Sequence, residues 1–196
     1  MAAVDEILKM IEQVGYEEYQ YLKGLETREI YFNDDIHLGI IDRIVHNIYR
    51  WNREDDEAGL EGDSRNPITL HLTSNGGCVL SMWSLVDAIR SSKTKVIGKG
   101  YAITASAGAY ILTACHERYI QKNATLLYHA GSLNLSGEAN AAKATMKHFE
   151  EYDKRIKDLV ISRTKITPQL YGRRSKDEWY IHGDECLELG IVEGLI

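Results

Sequence analysis

Three times along this chain an apolar strand gives way to a turn of small residues and then to an apolar helix, and that alternation constrains the fold more than any single residue. Residues 68–72 (Ile-Thr-Leu-His-Leu) alternate as a strand should, run into the sharp turn Thr73-Ser74-Asn75-Gly76-Gly77, and are followed by a helix over 79–89. Lys95-Val96-Ile97-Gly98 reads as a strand, then a connecting turn, then an apolar helix over 107–115. Leu126-Leu127-Tyr128 leads as a strand through His129 and a glycine-containing linker (Ala130-Gly131-Ser132 at its start) to a long helix over 138–164, whose apolar positions step by three and four. Strands joined by helices pair in parallel, so the expectation is an α/β domain with a largely parallel sheet.

The flanking segments fit one domain over 1–196, a length that supports a proper core. Residues 4–25 have helical spacing interrupted at Gly15, and Glu29-Ile30-Tyr31-Phe32 reads as a short strand. Asp35 is expected to cap an amphipathic helix through Ile40, Ile41, Ile44, Val45 and Ile48. The polar, acidic, glycine-bearing stretch 50–66 reads as a solvated loop or insertion. At the end, residues 185–192 form a short helix stopped by Gly190 and followed by a strand.

A net charge of −6 without a basic run argues against nucleic acid or an anionic membrane as the main partner. Cys78, Cys115 and Cys186 are odd in number, far apart and free of any C-x-x-C pair, which excludes a disulfide framework and a structural zinc site and fits a reducing compartment. With no leader-like segment and no membrane-length apolar run, a cytoplasmic protein is expected.

Chemistry concentrates at Ala105-Ser106-Ala107-Gly108-Ala109, a lone serine among residues small enough for a substrate backbone to approach. Taken alone this is a nucleophile at a helix N-terminus or a serine N-cap of a small-residue core helix. Serine hydrolysis also needs a base, a group to orient it and oxyanion donors. Gly76-Gly77 closes a strand where ligands of open α/β sheets bind, and the Ala107 N–H is the natural second donor. Of the seven histidines, His71 falls inside a strand, His116 in a charged turn, His37, His46 and His148 on helices and His182 in a terminal loop. His129 differs, at the end of an apolar strand and followed by Ala130-Gly131-Ser132, and reads either as a structural histidine or as the base.

The order of these parts resembles the ClpP family, the proteolytic subunits of the Clp protease. Strand–Ser-Asn-Gly-Gly–helix, Ala-Ser-Ala-Gly-Ala, Leu-Leu-Tyr-His, a long helix, and Glu-Cys-Leu-Glu-Leu-Gly-Ile-Val-Glu stand where the family has Ser-Pro-Gly-Gly, Ala-Ser-Met-Gly-Ala, Met-Ile-His and Glu-Ala-x-Glu-x-Gly-Leu-Val-Asp. The likeness covers residue 29 to the end. It implies a ClpP/crotonase-like α/β fold with a protruding handle helix in region 130–170, and a serine endopeptidase acting on peptides or unfolded proteins.

By the same resemblance Ser106 is the nucleophile, His129 the general base, and Gly77 and Ala107 the backbone oxyanion donors, with no metal or cofactor. Counting back from Leu-Gly-Ile-Val without a gap, the family's aspartate falls on Glu178, with Asp177 as the alternative one residue away. A glutamate orients an imidazole as an aspartate does but reaches one methylene further. The resemblance further implies homo-oligomeric stacked rings, of seven subunits, with an AAA+ unfoldase as the partner class. Asn75 replaces the proline before the glycine pair, and residues 1–28 differ from the family's usual axial-loop segment. The alternative from another class is a catalytically silent ring subunit with a structural or regulatory role.

Overall fold

The computed structural model describes residues 2–131 and 136–196, so the linker residues 132–135 lie outside the described residues. Two N-terminal helices, α1 (Ala2–Val14) and α2 (Tyr16–Thr27), are separated at Gly15, whose φ of 84° breaks the helix as the sequence predicts. The rest alternates as β1 (Glu29–Asn33), a π-helical turn (Ile41–Val45), α3 (His46–Glu57), β2 (Ile68–Ser74), α4 (Val79–Ser91), β3 (Val96–Ala105) and α5 (Ala107–Ala114). It continues with β4 (Glu117–Ile120), β5 (Thr125–Tyr128), α6 (Ala139–Arg163), α7 (Pro168–Arg174), β6 (Trp179–His182), α8 (Gly183–Glu188) and β7 (Gly194–Leu195).

The strands form one seven-stranded sheet in which β1, β2, β3, β4 and β7 pair in parallel in that order. β3 is shared between two branches. Residues 97–100 pair with β4, whereas residues 103–105 pair with β5, and Ala102 between them takes φ 43°. β6 then joins β5 in the one antiparallel pairing among the described strands, with Tyr128 opposite Trp179. One face of the parallel part is packed under helices, with Ile68, Leu70 and Leu72 of β2 wholly buried and α5 buried at every position, whereas the opposite face carries exposed Tyr31 and half-buried Lys99 and Tyr101.

Five expectations need correction. The acidic stretch 50–66 is a loop only in its second half, because α3 runs on to Glu57 before the irregular residues 58–66 with their short 3₁₀ turn at Gly62–Ser64. Three of its charges, Asp55, Asp56 and Arg65, are structural. Trp51 and Asp55 are buried, and the Asp55 carboxylate takes a two-pronged bond from Arg28 at 2.7 and 2.8 Å and a third from the Thr94 hydroxyl at 2.6 Å. Arg65 is buried against Asp56.

Asp35 caps no helix. Residues 35–39 form a bridge and turn in which Ile36 pairs with Gly77, and the helix begins later, through the π-helical turn. His37 accordingly lies in that turn. β3 does not stop at Gly98 but continues to Ala105, so the chain passes from strand to Ser106 with no intervening turn. His182 ends β6 rather than sitting in a loop. All three cysteines are free, Cys78 exposed and the other two buried.

Candidate active site

Ser106 sits between the last residue of β3 and the first of α5, at φ 52° and ψ −121°. A residue with a Cβ is strained there, and such strain persists only where the surroundings enforce it. Two backbone bonds do so: the Ser106 N–H donates to Leu127 O of β5 at 2.8 Å, and its carbonyl accepts from the Tyr110 N–H at 3.2 Å. The side chain is half-buried and does not cap α5; it is free to face outward.

The turn after β2 approaches the serine as closely as atoms allow. A Cβ on Gly76, which has φ 108°, would lie 2.5 Å from Ser106 Cβ and 3.1 Å from its Oγ. Gly77, at φ 140°, is held by Ile36, whose N–H donates to Gly76 O and whose carbonyl accepts from the Cys78 N–H, both at 2.7 Å. A Cβ on Gly77 would strike the Ile36 backbone. Among the described residues the Gly77 N–H between these bonds has no partner, and the Ala107 N–H, at the first position of α5, has none within the helix. Gly108 lets α5 pack closely on Ser74.

His129 follows β5 directly, two residues past the carbonyl that holds Ser106, and is half-buried. Its own carbonyl accepts from the Tyr110 hydroxyl at 3.0 Å, so one helix, α5, carries both the serine and an anchor for the histidine strand. Burial, and then the neighbouring Tyr171 phenol, hold the Tyr110 proton well above the ordinary phenol range, which keeps it a donor.

Ser106, Ala107, Gly77 and His129 line one cavity of about 330 Å³, walled on the other side by α6 through Phe149 and Ile156 among others. Among the described residues no hydrogen bond joins Ser106 Oγ to His129.

The structure places the two acids differently from the rest. Glu178 and Asp177 are exposed, line neither cavity that His129 lines, and make no hydrogen bond to it. Glu178 instead accepts from the Tyr180 hydroxyl. The β5–β6 register nevertheless pairs Leu127 with Tyr180 and Tyr128 with Trp179, so one further step along it sets His129 opposite Glu178. The chain leaves that register immediately afterwards, where the Ala130 N–H donates to Ser175 O.

His71 has a different setting. It is stacked on Tyr31 with centroids 4.1 Å apart and bonded to the Tyr101 hydroxyl, and burial lowers its pKa. Residue-by-residue reading of the sequence missed Ile36, which holds the glycine turn, and Tyr110. The latter had a signal, a phenol one helical turn after Ser106 on a helix whose one other polar side chain is Thr113.

The Clp protease family profile matches residues 11–196. The ATP-dependent Clp protease proteolytic subunit 2 of Treponema pallidum (strain Nichols) is 26% identical over 179 residues, covering 90% of this chain and 85% of that protein. A protein of the same description from Pseudomonas aeruginosa is 29% identical over 135 residues, covering 68% of this chain and 67% of its own. One from Nocardia farcinica is 25% identical over 137 residues. The profile spans the glycine turn, the strained serine, the histidine strand and the α8 ending together, and the chain belongs to the Clp protease family.

Proposed function

We propose that the chain is a serine endopeptidase that cleaves peptides or unfolded proteins. The observation that carries this reading is Ser106 itself, strained at the β3–α5 junction, with unpaired N–H groups of Gly77 and Ala107 beside it and His129 on the same cavity. In this reading His129 accepts the Ser106 proton as Oγ attacks the scissile carbonyl, and the two N–H groups take up the charge on the oxyanion. The imidazolium then protonates the leaving amine, and water releases the acyl group by the same steps reversed. Glu178 orients His129 once its bond to Tyr180 is exchanged for one to the imidazole; Asp177 is the alternative. Catalytic hydrogen bonds commonly tighten only when substrate is bound, so the open Ser106–His129 geometry is compatible with this role.

The same reading includes a cytoplasmic assembly of stacked seven-membered rings and an AAA+ unfoldase as partner. α6 supports the rings: of its 25 residues only Ile156, Leu159 and Val160 are buried, so most of its first half is open to a neighbour, Met146 being exposed. The competing reading, a silent ring subunit, draws on the placement of both acids away from His129. A fluorophosphonate probe separates the two. Covalent labelling at Ser106, located by peptide mass spectrometry, is expected of the peptidase, and assembled protein that stays unlabelled is the silent subunit.

A further inference from the structure

His129 lies past the end of β5, so no strand pairing sets its backbone, and among the described residues neither Glu178 nor Asp177 bonds to its ring. What holds it is the peptide that follows. The carbonyl of the His129–Ala130 peptide accepts from the Tyr110 hydroxyl at 3.0 Å. Its N–H donates at 2.9 Å to the carbonyl of Ser175, the residue that closes α7. With both polar groups bonded, the plane of that peptide is fixed beside the His129 Cα.

Tyr110 is itself fixed. It is only 3% exposed, and its ring stacks on Tyr128 with centroids 5.3 Å apart. Its own N–H donates to the Ser106 carbonyl at 3.2 Å. One turn of α5 and one phenol thus join the Ser106 backbone to the His129 backbone. Tyr110 also lines both of the cavities that His129 lines. A phenylalanine would fill the same buried space on an apolar helix; the hydroxyl adds the tie to His129.

Resting on the peptidase reading above, we infer that Tyr110 is a positioning residue for peptide hydrolysis, its hydroxyl holding the His129 backbone so that the imidazole serves both Ser106 Oγ and the leaving group. Cleavage of an amide asks His129 for two proton transfers from one position, the first from Ser106 Oγ and the second to the departing amine. A p-nitrophenyl ester asks for the first alone, because p-nitrophenolate leaves without a proton. Loss of the tie therefore costs the amide more than the ester.

The test compares Tyr110→Phe with wild type as full-length assembled protein, on a fluorogenic peptide amide and on the p-nitrophenyl ester of the same acyl group. For the amide, kcat is expected to fall about tenfold with KM within about twofold of wild type, while the ester rate falls by no more than about threefold. Both rates come from one sample, so any loss of folded protein cancels in their ratio. Tyr110→4-aminophenylalanine, which offers the carbonyl an N–H in place of the O–H, is expected to recover most of the amide rate. An amide-to-ester ratio unchanged in Tyr110→Phe, or no recovery with the amine, overturns the inference and leaves the peptidase reading intact. Failure of a plain fluorophosphonate to label Ser106 in the wild-type protein overturns both.

Discussion

Ser106 is the residue at which strand, helix and glycine turn meet, and its backbone angles record the constraint. Gly76 is the other half of the arrangement. Gly76→Ala places a methyl 2.5 Å from Ser106 Cβ at a positive φ that alanine resists, and the serine must shift. Peptide hydrolysis by this variant is expected to fall about a hundredfold, with slower fluorophosphonate labelling as the check. Ser106→Ala is expected to abolish labelling and to reduce hydrolysis at least about a thousandfold. Tyr110→Phe leaves the His129 carbonyl without its donor and should cost about 1 kcal/mol of stability, read from urea denaturation. At this scale the candidate serine was legible because it stands alone among the small residues Ala105, Ala107, Gly108 and Ala109. The strain was not, since it arises from the bond to Leu127, twenty-one residues away.

Among elements, α3 departs most from its local composition. A run of acidic residues reads as solvated when only its neighbours are considered. It folds as helix because Arg28, from the end of α2, and Thr94, before β3, supply the donors that let Asp55 be buried. Those partners are 27 and 39 residues distant, beyond any window of periodicity.

Asp55→Ala is expected to destabilise the protein by about 3–5 kcal/mol in urea denaturation, since it strands the Arg28 guanidinium. The bonds from Arg28 chiefly, aided by Thr94, hold the Asp55 carboxyl below its ordinary value. Its stabilisation is therefore complete above the unfolded-state value of about 3.9 and is lost as pH falls from there through the folded value. Wild-type stability should drop over that acid range, and Asp55→Asn should show a shallower drop in the same titration. The strands and the long helix were legible for the opposite reason, because their apolar spacing is set by their own faces.

For the whole molecule, sequence order gave the parallel architecture but not the fork in β3, where one strand serves two branches through the left-handed Ala102. Nor was the antiparallel β6 legible, although its pairing with β5, ending at Tyr128 opposite Trp179, sets where the 177–178 acids emerge. In solution the protein is expected to behave as an assembly several times the 22.2 kDa chain, and light scattering that returns a single chain would remove the ring.

α6 behaves mechanically as a cantilever. It is clamped through Ile156, Leu159 and Val160 near one end, while Met146 and Phe149, further along the span, form part of the Ser106 cavity. In the proposed ring, a neighbour gripping this span would stiffen the wall of the cavity, and by reciprocity an occupied cavity would stiffen the span that the neighbour grips. Covalent occupancy of Ser106 should therefore shift a dilute sample toward the larger species in sedimentation, and dilution alone should slow the rate at which the serine is labelled.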